Sequence, residues 1–222
     1  MNKNEQGIRL MQEGKLEQAV ALFTEVIEEN PTDPVGYINF GNVLLSMDDF
    51  TRAEIFFKRA VELEKEVPAA HYSLGNLYYE LERYPEARDE FDLAIKQGME
   101  NGDVFFMLGM SFVQLEQNTF ALPFLLRSVE LAPEDPENTF QYGIALAKEG
   151  IYEEAVVMLE RTLTLKEEDA DALYNLGAVY LAWQGDLIVA KNFFERALQS
   201  DAHHSLAENG LAAILAYEEQ DK

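Results

Sequence analysis

The sequence predicts an all-α protein built as a stack of paired helices, and three observations carry that expectation. Six glycines, Gly7, Gly41, Gly75, Gly109, Gly143 and Gly177, fall 34 residues apart. A row of alanines runs beside them, Ala19, Ala53, Ala87, Ala121 and Ala155, with Ala190 one residue late. Within a period the apolar residues recur at the i, i+3, i+4, i+7 spacing of one helix face, in two runs parted by a polar break. A fixed period of this length marks stacked repeats, each too small to bury its own apolar face. Such an array usually offers an extended binding surface rather than a catalytic pocket.

The repeat at 68–101 shows how each unit is made. His71, Leu74, Gly75 and Tyr78 form the stripe of a first helix. A polar break follows at Glu82–Arg83, and Pro85 opens a second helix where its missing N–H costs nothing. Ala87, Phe91, Ala94 and Ile95 are the stripe of that second helix. A glycine inside a helix costs about 1 kcal/mol relative to alanine, so its recurrence implies a steric gain. The expectation is that the glycine of one helix faces the alanine of the other and lets the two axes approach.

In chain order, the first copy is the weakest, with Gly7, Leu10, Ala19, Phe23 and Pro31, and with polar Lys3 and Gln6 where internal copies are apolar. The second has Tyr37, Phe40-Gly41, Leu44, Phe50, Ala53, Phe57 and Ala60, and the third His71, Leu74-Gly75, Tyr78, Tyr84, Ala87, Phe91 and Ala94. The fourth has Phe105, Leu108-Gly109, Phe112, Ala121, Leu125 and Pro133, and the fifth Tyr142-Gly143, Leu146, Tyr152, Ala155 and Leu159. The sixth has Leu173, Leu176-Gly177, Tyr180, Ala190, Phe194 and Ala197.

This pattern resembles the tetratricopeptide repeat family over essentially the whole chain, and in particular its small stand-alone bacterial members. The resemblance implies a right-handed superhelical solenoid of about six helix–turn–helix repeats, near 1–33, 34–67, 68–101, 102–135, 136–169 and 170–204. A capping helix at 205–220 completes a single domain over 1–222. Departures carry expectations of their own. Asn118 replaces the usual aromatic, and Pro123 should loosen or shift the start of its helix. An extra residue near Trp183–Gly185 lengthens one turn, where Trp183 is expected either as an exposed anchor or, the favoured reading, as a plug over the cap. The cap should turn a polar side outward, through Glu208, Asn209, Glu218 and Glu219.

Hydrophobic residues make up 48% of the 222, enough for a sizeable core. Cysteine is absent, which removes disulfides and thiol chemistry and suits a cytoplasmic setting. No charged-then-apolar leader and no apolar run near 20 residues is visible in the sequence, so neither secretion nor a membrane span is expected. The net charge is −24, from 41 acids against 17 bases. That field disfavours nucleic acid and anionic membrane and favours a basic partner.

Function is expected on the first helices. The resemblance implies that residues one before and one after the buried stripe face a concave groove. These are Ile38, Asn42 and Leu45, then Tyr72, Asn76 and Tyr79, then Phe106, Met110 and Val113. They continue as Phe140 and Ile144, then Tyr174, Ala178 and Leu181. Lys148 is the one cation at such positions, so the family's carboxylate clamp for an acidic chaperone tail is not expected. Asp103, Glu137 and Asp171, 34 residues apart, form a candidate acidic rim. His71 reads as a core residue, and His203–His204 lack the companions a metal site needs. No glycine-rich phosphate loop, nucleophile motif or perturbed carboxylate pair is present, so neither an enzyme nor a cofactor is expected. The expected role is a non-catalytic adaptor, monomeric rather than oligomeric, that holds a peptide or an amphipathic helix with basic flanks. The alternatives are a self-associating structural protein and a regulatory subunit that binds an enzyme through its convex face.

Overall fold

The computed structural model describes residues 2–220, with the side chain of Gln220 left aside. Met1, Asp221 and Lys222, which the sequence boundaries include, lie outside those residues. The described residues hold thirteen α-helices and no strand. They cluster as two compact units that meet between Leu115 and Glu116.

The first unit holds α1 (Lys3–Gln12), α2 (Leu16–Glu29), α3 (Pro34–Ser46), α4 (Phe50–Leu63), α5 (Pro68–Glu80), α6 (Tyr84–Lys96) and α7 (Gly102–Gln114). The second holds α8 (Asn118–Leu131), α9 (Pro136–Lys148), α10 (Tyr152–Leu165), α11 (Ala170–Gln184), α12 (Leu187–Ser200) and α13 (Ser205–Gln220). Every odd-numbered helix except α5, which follows Val67, starts on a side-chain cap. Asn2, Asp33, Asn101, Asp135 and Asp169 each accept a backbone N–H of the first turn, satisfying donors the helix itself leaves free. Pro34, Pro68 and Pro136 sit in the first turn, where no N–H is required.

Each hairpin turns on a left-handed residue, again on the 34-residue comb. Gly14, Asp48, Glu82, Glu116 and Gly150 have φ of 71°, 57°, 56°, 58° and 74°, and Gly185 follows at 64°. The N–H of the next residue reaches back to the preceding helix, as in Asp49 to the Leu44 carbonyl at 2.9 Å and Arg83 to the Tyr78 carbonyl at 2.8 Å. These are Schellman closures, in which the left-handed residue lets the chain reverse while the last carbonyls stay bonded.

The glycine seats differ from the expected glycine-to-alanine contact. A Cβ on Gly75 would lie 2.5 Å from the Phe91 ring, and one on Gly177 would lie 2.7 Å from Phe194. Gly7 and Gly41 meet Phe23 and Phe57 in the same way. The glycine is therefore a seat for an aromatic ring on its partner helix. At Gly143 the seated residue is Leu159, 3.0 Å from the same notional atom. The comb alanines are all fully buried, and next to Gly177 the backbone oxygen of Ala190 also closes in at 3.1 Å. Phe23, Phe57, Phe91 and Phe194 are among the largest fully buried side chains. His71 is buried in this core with its Nδ1 2.7 Å from a Glu90 carboxylate oxygen.

Three expectations are corrected. Pro123 does not shift its helix, because α8 starts at Asn118 in step with Phe50, Tyr84 and Tyr152; the exposed ring is accommodated within α8. Gln6 is exposed and Lys3 stays solvent-accessible, as expected of an end face, while the Lys3 ammonium bonds Glu25 at 2.6 Å and Glu29 at 2.7 Å on α2. Trp183 does not plug the cap; it is 41% exposed and leans on Tyr180, 6.4 Å between rings. On the outer side of α13 Glu208, Asn209 and Glu219 are exposed as expected, but Leu206, Leu215 and Tyr217 are exposed beside them and Glu218 folds back onto Lys191 at 3.1 Å.

Gly75→Ala should lower stability by about 1–3 kcal/mol, since the added carbon displaces a packed ring. Adding Phe91→Leu should make that penalty smaller, as the Gly143–Leu159 pair is less crowded, and denaturant melts of the four-member cycle give the coupling. Glu82→Gly should instead raise the melting midpoint, gaining up to about 1 kcal/mol from relief of the left-handed backbone. A lower midpoint for Glu82→Gly would show that its side chain matters more than its dihedral.

Candidate functional site

In the first unit α3, α5 and α7 are successive first helices, and α5 touches both others. They carry nine of the candidate residues. Asn42, Leu45, Tyr72, Asn76, Tyr79, Phe106, Met110 and Val113 are all half-buried, lodged between neighbouring helices with one edge in solvent. Ile38 is the exception. It is 7% exposed and packs with Ala60, Val67 and Ala70, because α4 and α5 close over that side of α3.

Packing fixes the rings in place. Tyr72 leans on Phe91 with centroids 5.8 Å apart, and Tyr79 meets Tyr84 edge-on at 5.3 Å. The Gln114 amide donates to the Tyr79 hydroxyl at 3.4 Å. Burial raises the pKa of both hydroxyls; Asn76 works against this at Tyr72 and Gln114 does so at Tyr79. A ring held on one side and wet on the other suits a contact surface, because little side-chain entropy remains to be lost.

Leu45 and Asn76 border a cleft of about 440 Å³ together with Phe50 and Met107. Asp48 and Glu80 stand at its lip, and no lysine or arginine lines it. The nearby cations are already engaged, Lys58 with Glu54 at 2.7 Å and Arg52 with Asp49. Asp103, the candidate rim acid of this unit, is exposed in the first turn of α7 and adds to the field at Tyr72.

In the second unit Phe140 and Ile144 lie on α9 and Tyr174, Ala178 and Leu181 on α11, all half-buried, and the two helices touch. Ile144 and Ala178 border a cleft of about 250 Å³ with Lys148, Tyr152 and Asn175. Tyr174 stacks on Phe194 at 5.6 Å and meets the His204 ring in a tilted contact at 5.3 Å. The other two rim acids are not bare. Glu137 and Asp171 flank a small cleft of about 110 Å³ that also holds Lys166 and Asp169, whose charged groups bond at 2.6 Å. The Asp169 bond, then the fields of Glu137 and Asp171, raise the Lys166 pKa. Glu137 also accepts from Gln141 at 2.9 Å.

Sequence reasoning missed His204. Its Nδ1 accepts the Ala207 N–H at 3.1 Å, which leaves Nε2 to donate to Asp171 at 3.1 Å. The ring is thus the N-cap of α13 and ties it to α11. The signal was available in the place of His204, directly before a helix in a position that elsewhere holds Asp or Asn. Asp48, Glu80 and Met107 were also missed, because only the folded hairpins bring a turn, a helix end and a neighbouring helix together. Among the described residues no group of three His, Asp or Glu converges on a point a metal could occupy.

Comparison with known proteins follows the same geometry. Two tetratricopeptide repeat profiles match residues 10–62 and 38–102. A crystal structure of YrrB, described as a tetratricopeptide repeat protein with an unusual peptide-binding site, is 42% identical, with a TM-score of 0.80 over 84% of this chain and 96% of YrrB. The chain belongs to the tetratricopeptide repeat family. Among curated proteins, the repeat-containing protein YrrB of Bacillus subtilis is 51% identical over 39 residues, a match spanning 18% of this chain and 19% of that relative. The fold also matches PilF of Pseudomonas aeruginosa, with a TM-score of 0.82 at 18% identity over 95% of this chain and 96% of PilF. Tetratricopeptide folds support protein–protein interaction, and no helix among the described residues is long and apolar enough to cross a membrane.

One electrostatic consequence is measurable. Burial alone would raise the pKa of Asp169, but Lys166 and the Ala172 N–H outweigh it and hold the carboxyl below the ordinary aspartate value. Asp169→Ala should therefore cost about 1 kcal/mol near neutral pH by removing the α11 cap. A depressed folded pKa stabilises above the unfolded value, about 3.9, and that stabilisation fades as pH falls through the lower folded value. Wild type and variant should thus keep a constant gap in melting free energy from pH 7 to about 5 and converge in stronger acid. A gap that widens on acidification would contradict this.

Proposed function

We propose that the chain is a non-catalytic adaptor that holds a peptide or an amphipathic helix, with apolar anchors and basic flanks, on its first-helix faces. The observation that carries this reading is the face of α3, α5 and α7. It offers half-buried Leu45, Tyr72, Tyr79 and Phe106, and a cleft of about 440 Å³ whose lip holds Asp48 and Glu80 and no cation. Apolar anchors would fill the cleft while lysine or arginine meets the carboxylates, the division of labour of groove-bound helices and extended peptides. Asn42 and Asn76 would bond a bound backbone. Asp103 extends the acidic edge in this unit, and Phe140, Ile144, Tyr174, Glu137 and Asp171 supply a smaller counterpart in the second. The unusual peptide-binding site of YrrB, at 42% identity, supports the same class of ligand. A contact of this kind, after ordering costs, falls in the micromolar class. A cytoplasmic monomer needing no cofactor fits this role.

Exposed Leu206, Leu215 and Tyr217 on α13 favour a second reading, association of copies through that helix. Sedimentation across a range of concentrations separates the two, since only the second predicts a mass that grows.

Tyr72→Ala combined with Phe106→Ala should reduce capture of the native partner at least tenfold while the helical signal stays intact. Raised salt should weaken capture by the unaltered protein, because rim ion pairs are screened. Full capture by the double variant would remove the first-helix face from consideration.

A further inference from the structure

A second surface lies on the side of the second unit away from its first-helix face. Leu126 of α8, Tyr142 of α9 and Glu153, Glu154, Val157 and Met158 of α10 enclose a cleft of about 490 Å³. Tyr142 is two residues from both Phe140 and Ile144, close to half a helical turn, so it leaves α9 on the opposite side.

Two of the residues that build it, Leu126 and Tyr142, break the repeat. Leu126 stands where other copies have Lys58, Asp92 and Glu160, and it is 41% exposed. Val157 is 53% exposed. Tyr142 stands where Phe40, Leu74, Leu108 and Leu176 are buried, yet it is only half-buried. Packing within the hairpin explains none of these choices. Leu126 and Val157 keep about half of their surface in water on either side of the cleft, and such a patch marks an interaction site.

Charge selects the occupant. Glu153 and Glu154 sit at the lip, and neither forms an ion pair among the described residues. The closest arginine on α8, Arg127, is held by Glu130 at 2.7 Å. Burial raises the Tyr142 pKa, and the carboxylates of Glu154 and Glu130 raise it further, so the cleft already lies in a negative field. A second copy of this chain, at −24, would bring more acid to that lip and few free cations.

We propose that the α8–α10 cleft is a second docking surface, which takes an apolar anchor from a basic amphipathic helix of a partner protein. The anchor enters between Leu126 and Val157 above Tyr142 and Met158. A lysine or arginine one helical turn away meets Glu153 and Glu154, its aliphatic stem lying along Val157.

The test uses an 18-residue synthetic helix of leucine and lysine, a matched helix of leucine and glutamate, and methyl-labelled full-length protein. The leucine–lysine helix should shift the methyls of Leu126, Val157 and Met158 in a saturable manner. Leu126→Glu with Val157→Glu should weaken binding at that site about tenfold. Tyr72→Ala with Phe106→Ala should leave the shifts at these methyls intact, which separates failure of this proposal from failure of the first-helix reading. The proposal is overturned if those methyls stay still at saturation, or if the glutamate pair leaves the affinity read at the remaining Met158 methyl unchanged. Equal binding of the leucine–glutamate helix would also overturn it. So would a dimer of the unaltered protein that the glutamate pair dissolves, since the occupant would then be a second copy.

Discussion

The seat of an aromatic ring on a helical glycine governs the architecture. Where Phe91 lies over Gly75 or Phe57 over Gly41, the side chain of one helix occupies the space a Cβ would need on the other. This sets the separation of the two axes and their rotation about one another. With the rotation fixed, the stripe at His71, Leu74 and Tyr78 is committed to the core. Residues beside that stripe, such as Tyr72, Asn76 and Tyr79, are committed to the opposite edge. The half-buried face is thus a geometric by-product of the seat.

The helical pairs and their core were legible in the sequence because they rest on spacing, and spacing survives without coordinates. The partner of each glycine was not. Gly75 and Ala87 share a period, but the contact that matters runs sixteen residues, from Gly75 to Phe91. Two combs in step do not reveal which tooth meets which. The left-handed turn comb was hidden because Asp48, Glu82 and Glu116 occupy places where glycine would have announced it. Most candidate groove residues share a half-buried environment, while Ile38 does not, since burial there depends on Ala60, Val67 and Ala70 from neighbouring helices. Long-range ties such as His204 to Asp171 were invisible for the same reason.

The acidic excess has a local structure. Lys3, Lys58, Arg83, Arg88, Lys96, Arg127 and Lys191 each hold a carboxylate, several of them one helical turn away. Exposed pairs of this kind contribute little to stability. Their larger effect is to use up the positive charge, so that the remaining acids present one sign to solvent. Asp48 and Glu80 over one cleft and Glu153 and Glu154 over another lie in that unneutralised remainder. Such a field speeds the approach of basic partners and slows that of further copies.

The fifth hairpin departs from the first, second, third and sixth in a connected way. Its glycine receives Leu159 rather than a phenylalanine ring, which fills less of the interhelical space. Around it the core turns polar. Asn138, Thr139 and Thr162 are buried, the two threonine hydroxyls bond at 2.9 Å, and the Asn138 amide reaches the Ser128 carbonyl at 3.4 Å. Buried polar groups must find partners, and doing so fixes the register between α8, α9 and α10 more narrowly than apolar packing would. Tyr142, which replaces the buried leucine of other copies, keeps a polar end that favours water over the core. It therefore stops half-way out, and the cleft between Leu126 and Val157 opens above it. A hairpin whose own register is pinned by hydrogen bonds can leave apolar surface uncovered without losing its shape. That combination suits a rigid docking seat.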